Sequence, residues 1–206
     1  MRARWEASVA SKSLRELIAQ ADERGLAASG LACLERCLPL LAPETDPLGP
    51  LWDGLAEGAG GWPGRLAEAR DTLAGAAPPG DGEADGAAAL IRHMLDAAPD
   101  DWQVEPLREW ADDCSVAALE LHHRLDAGPA GEPTASAVIE VLKGCREGEP
   151  THAGPLVTAE LRRQLRVLEI LAQGEGRIGL RQVQRVSTEG QRVLRAVVSR
   201  RARVQR

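Results

Sequence analysis

An all-α fold, an irregular bundle of about seven to nine helices, is predicted by three features of this 206-residue chain. Ala supplies 34 residues and Leu 27, and both side chains lose little freedom in a helix. Phe and Tyr are absent, and the β-branched and aromatic residues that suit strands are scarce. Apolar residues recur at helical spacing from end to end, in segments punctuated by Gly and Pro. A chain of this length can bury a sizeable core without a disulfide or a metal.

The elements follow in order. Leu14, Leu17, Ile18 and Ala21 keep the i, i+3, i+4, i+7 spacing, with Ser13 and Glu16 as a start signal and Gly25 as a stop; the helix can extend back to Trp5. A second helix over residues 26–38 offers Leu31, Leu34, Leu38 and Leu41 as a seam that Pro39 and Pro43 cut short. Pro47, Gly49 and Pro50 predict a turn, and a short helix over 51–57 meets Gly58, Gly60 and Gly61. Pro63 opens another, with Leu66, Ala69 and Leu73 inward and Gly75 at its end.

Residues 75–86 mix turn formers with acids and read as a mobile surface loop. Leu90, Ile91, Met94, Leu95 and Ala98 mark the next helix. The clearest one starts near Pro106 and carries Leu107, Trp110, Ala111, Cys114, Ala118, Leu121 and Leu125 at heptad-like spacing, until Gly128 and Pro129. Thr134 reads as the N-cap of a helix bearing Val138, Ile139 and Leu142, and residues 144–156 as irregular. From Thr158, Leu161, Leu165, Leu168 and Ala172 form an apolar stripe that Gly174, Gly176 and Gly179 interrupt. A last helix over 180–203 sets Val183, Val186, Val193, Leu194, Val197 and Val198 among arginines.

Charge is segregated along the chain. Residues 1–150 hold 13 basic and 27 acidic side chains, residues 151–206 hold 12 basic and 4 acidic. The expected organisation is an acidic helical bundle over 1–157 and a basic helical hairpin or tail over 158–206, packed on the same domain. Opposite charges would orient that segment while Val and Leu supply the adhesion. On this reading, removing 177–206 leaves a folded core.

The arginines of the second segment, Arg162, Arg163, Arg166, Arg181, Arg185, Arg192, Arg195, Arg200 and Arg201, are the candidate contacts for an acidic macromolecular partner. A protein partner leads. An anionic surface also fits an Arg-rich amphipathic helix. Nucleic acid is a third reading, since arginines neutralise phosphates, but no aromatic interleaving or zinc-finger, basic-zipper or RNA-module pattern accompanies them. A homo-oligomer remains open.

Signals for chemistry are weak. Glu120 and His123 keep the Glu-x-x-His spacing of di-iron bundles, but the apolar residues claim the inward face of that helix, so a solvated pair is expected. Glu149 and His152 repeat the spacing across Pro150, in the irregular stretch. Asp112, Asp113 and Glu120 do not complete the magnesium motif of class I terpene synthases, because Val116 stands where a Ser or Thr is required. Together Asp112, Asp113, Glu120 and His123 are the surface that an alternative reading, a helical metal- or small-ligand-binding protein or enzyme, would use. Cys33, Cys37, Cys114 and Cys145 read as reduced core residues, and His122, two turns from Cys114, as pointing elsewhere. Among the five tryptophans Trp110 reads as core, Trp62 as a staple at a helix start, and Trp52 and Trp102 as covers of helix ends. No catalytic, metal or cofactor site is expected. With no apolar run of about 18 residues and no apolar N-terminal stretch, the leading expectation is a cytoplasmic, non-enzymatic interaction or regulatory protein.

Overall fold

The computed structural model describes residues 12–41, 46–76, 83–127, 135–148, 153–174 and 176–204. Among them are nine α-helices: α1 (Leu14–Gln20), α2 (Glu23–Cys37), α3 (Gly49–Glu57), α4 (Trp62–Ala74), α5 (Glu83–Asp96), α6 (Val104–Ala127), α7 (Ala135–Arg146), α8 (Pro155–Gln173) and α9 (Gly176–Val204). A 3-10 turn, Leu38–Leu40, follows α2, and no strand occurs among the described residues. The fold is all-α, as the composition requires. The suggested extension to Trp5, the stops at Pro43, Gly128 and Pro129, the Thr134 cap and the Glu149–His152 pair lie outside the described residues.

Local signals set most boundaries. Ser13 and Glu16 form a complete capping box on α1. The helix nevertheless stops at Ala21, not at Gly25, because Asp22 caps α2 by accepting from the Gly25 amide at 2.7 Å. Gly25 is thus a first-turn residue of α2. Pro39 ends α2 in the 3-10 turn, and Pro50 and Pro63 sit in the first turns of α3 and α4. Of the loop expected over 75–86, residues 77–82 lie outside the described ones, whereas 83–86 already belong to α5. The apolar stripe of α8 also differs from expectation: Ala172 is exposed, while Val157, Glu160, Gln164, Val167 and Ile170 are buried.

Four helices build the centre. α2 and α8 touch each other, α6 lies against both, and α9 lies against both from the other side. The arrangement is a diamond with α6 and α9 at opposite corners. At one end of it the Arg201 guanidinium, late in α9, donates to the Leu125 carbonyl, late in α6. Small residues allow the close crossings. A Cβ on Gly30 would fall 2.6 Å from the ring of Trp110, and one on Gly190 2.5 Å from Cδ of Arg36. α5 and α7 flank α6, and α3 and α4 close the far end.

Tryptophans fasten that end. The Trp62 indole donates to the Pro99 carbonyl at 2.8 Å and the Trp110 indole to the Met94 carbonyl at 2.7 Å. Trp62 packs edge-on against both Trp102 and Trp110, with centroids 5.3 and 6.2 Å away. No described helix is long and apolar enough to cross a membrane.

Candidate functional site

Two polar arrangements stand out, one buried between helices and one on the outer face of α9. The buried one begins with Arg36, which occupies a position on α2 that the helical period turns inward, toward α8. Arg36 and Glu160 are both fully buried and paired side-on: Nε donates to both carboxylate oxygens at 3.0 Å and Nη2 to Oε1 at 2.6 Å. Nη2 also reaches the Cys33 sulfur at 3.4 Å. Gln164, one turn along α8, donates to Glu160 Oε1 at 3.1 Å and to the Ser115 carbonyl at 3.3 Å, and accepts from the Ser115 hydroxyl at 2.6 Å. His122 Nδ1 bonds the Ala118 carbonyl at 2.7 Å, which leaves Nε2 facing Glu160 Oε2 at 3.7 Å. The network therefore ties α2, α6 and α8 into one unit.

Burial by itself would raise the pKa of Glu160, but Arg36, and after it His122, hold the carboxyl below the usual glutamate range. Burial pushes the Cys33 thiol up to about 11 and raises those of Cys37 and Cys114 as well, so none is poised as a nucleophile. Ser115 spends its hydroxyl proton on Gln164 rather than on His122, and no nucleophile–base pair results. Chemically, this cluster orders and locks the bundle. His122, 2% exposed, points into the network toward Glu160 and makes no hydrogen bond with Cys114.

A second carboxyl, half-buried, lies on the residue just before Arg36. Glu35 faces α9 and α3, with Ser187 and Trp52 near it. Burial pushes it up to about 7, nearby Asp46 pushes the same way, and Arg36, Ser187 and Trp52 oppose them. The backbone carbonyl of Glu35 accepts from Gln191 of α9 at 2.8 Å.

The surface at 112–123 is divided among neighbours. Arg146 of α7, itself buried, forks onto Asp112, with Nη1 at 3.3 Å from Oδ2. Arg124 takes Glu120 one turn away. Asp113 is exposed, and its carboxyl is raised by partial burial and then by Asp112. No group of three His, Cys, Asp or Glu among the described residues can hold a metal ion.

The predicted arginines distribute unevenly. Leu180, Val183, Ser187, Gly190 and Leu194 form the buried stripe of α9, at alternating steps of three and four. Arg181, Arg185, Arg192, Arg195 and Arg200 are exposed, and the first three align on the side opposite that stripe. Arg201 is half-buried at its Leu125 contact. On α8, Arg162 and Arg166 are exposed, and Arg166 pairs with Glu169 at 3.4 Å. Arg163 instead lies in the α8–α9 seam, its Cδ 3.3 Å from where a Gly190 Cβ would be.

Sequence reasoning missed a further feature of the same face. The exposed large hydrophobic side chains among the described residues are Ile178, at 71% exposure on the outward side of α9, and Val193, at 38% on its flank. Val193 stands one position before Leu194 and three after Gly190, at the edge of the buried stripe. Fold and site together define an all-helical protein with an ion-paired interior and a basic, partly aliphatic outer helix. No protein-family model, curated protein or solved structure matches the chain.

Proposed function

We propose that this is a non-enzymatic interaction protein with a regulatory role, which takes an acidic protein partner on the outer face of α9. The observation that carries the reading is Ile178, 71% exposed, on the same solvent-facing side as Arg181, Arg185 and Arg192, with Val193 at the edge of that side and the exposed Glu189 between Arg185 and Arg192. Aliphatic anchors inside a cationic frame suit a protein surface, where apolar contacts supply affinity and charges select the partner. A phosphate backbone has no use for the aliphatic anchors. A membrane surface would require the apolar stripe of α9, which is occupied by the core. The four thiol-form cysteines, three of them packed in the helical centre, accord with a reducing, cytoplasmic setting.

α9 is a wall of the core, so its removal strips the cover from Arg36 and the buried leucines. Charge reversal is the cleaner test. R181E/R185E/R192E should keep the helical spectrum and thermal midpoint of the parent. Binding to a synthetic acidic amphipathic helix, followed by fluorescence anisotropy, should weaken at least about tenfold, the loss of roughly 1.4 kcal/mol. Equal binding by parent and variant would refute the role of this face, and preference for a DNA duplex over the peptide would transfer the function to nucleic acid.

A further inference from the structure

The identity of an acidic partner is constrained by where the molecule carries its own acids. Glu105, Glu109 and Asp113 recur every fourth residue on α6 and are all exposed. They lie on the side of α6 away from Leu107, Trp110, Ala111 and Cys114, which are buried. Glu105 shares its charge with Arg108 one turn on. Farther along, Asp113 has Asp112 and Glu109 beside it, and that concentration of like charge helps raise its carboxyl. Asp96, Asp100 and Asp101, all exposed, extend the acidic region into the turn before α6, where Asp100 pairs with Arg70 at 3.0 Å.

Because α6 and α9 occupy opposite corners of the diamond, the acidic face and the basic face of one molecule point away from each other. They cannot satisfy each other within one chain. We infer that the partner taken by the outer face of α9 is the acidic face of α6 on a second copy of this chain, giving a head-to-tail assembly. This rests on the proposed role of α9 as a docking face. The contact is heterologous: each copy offers both a donor face and an acceptor face, so association propagates into rings or open chains instead of stopping at a symmetric dimer. Exposed ion pairs are individually weak, so the assembly is concentration-dependent and falls apart in salt.

A charge-swap experiment tests this. Sedimentation velocity at low ionic strength should show the mean mass of the parent rising with concentration, and about 500 mM NaCl should weaken the association roughly tenfold or more. R181E/R185E/R192E alone carries two acidic faces and E105K/E109K/D113K alone two basic ones, so each should sediment as a monomer. Mixed in equal amounts, they should associate again, because every contact then joins unlike faces. A parent that stays monomeric at all concentrations, a reversal that leaves association intact, or a mixture that fails to recover it would overturn the inference. The acidic peptide separates the two levels of the argument. If R181E/R185E/R192E loses the peptide but the parent never self-associates, the basic face stands and its self-pairing falls; if the peptide too is bound equally, both fall.

Discussion

Arg36 and Glu160 show what a buried charge demands of its neighbours. Removing either leaves the other unpaired inside the bundle, so R36M and E160L should each cost about 3–5 kcal/mol in denaturant unfolding, whereas the double variant should cost less than either. A double loss equal to the sum of the singles would show that the two do not act as a pair. Glu35 gives a prediction of opposite sense. Its folded-state value, about 7, lies above the ordinary 4.5, so the folded protein holds an extra proton between those values. The stabilisation is complete below about pH 4.5, declines as pH rises, and is lost above about pH 7; the full difference is about 3 kcal/mol. E35Q should therefore be more stable than the parent at pH 8 and lose the decline between pH 4.5 and 7. An unchanged pH profile would mean that Glu35 is already solvated. Neither carboxyl was legible beforehand. Arg36 and Glu160 are 124 residues apart, and a lone charge on an apolar stripe reveals its partner only when the helices are placed. The same holds for His122, whose direction depends on α8 rather than on its own helix.

Helices were legible where period and punctuation agree, as in α4, whose Pro63, Leu66, Ala69, Leu73 and Gly75 all fall where expected. They were misread where one residue serves two uses: Gly25 looked like a stop because glycine commonly ends helices, yet its amide is the donor that Asp22 needs. The start of α8 extends the point. Its N-cap, Gly154, has no side chain to offer, and Asp126 from the end of α6 accepts the Leu156 amide at 3.0 and 3.1 Å and the Val157 amide at 3.0 Å. A cap supplied by another helix is invisible to sequence pattern. It also fixes the relative placement of two corners of the diamond. D126A should cost about 1 kcal/mol by denaturant unfolding, with faster amide exchange confined to the first turn of α8. Protection unchanged at Leu156 and Val157 would show that water or another group replaces the cap.

Across the whole molecule, the charge split has a different consequence from the one that composition suggests. Opposite charge was expected to orient the basic segment on the acidic body. In the fold, α9 is held by Leu180, Val183 and Leu194 and by the close approach at Gly190, while Arg181, Arg185 and Arg192 face outward. Adhesion is therefore largely apolar, with Gln191 and Arg201 adding hydrogen bonds to the Glu35 and Leu125 carbonyls, and the central Arg36–Glu160 pair is sealed from salt by its burial. Folding and association should separate on a single axis. Raising NaCl from about 50 to about 500 mM should move the unfolding free energy by no more than roughly 0.5 kcal/mol, because only surface pairs such as Arg15–Glu147 and Arg124–Glu120 are screened. Binding through α9 should collapse over the same range. If instead stability falls with salt in parallel with binding, the arginines are holding α9 to its own body, and the outer face is not free to serve a partner.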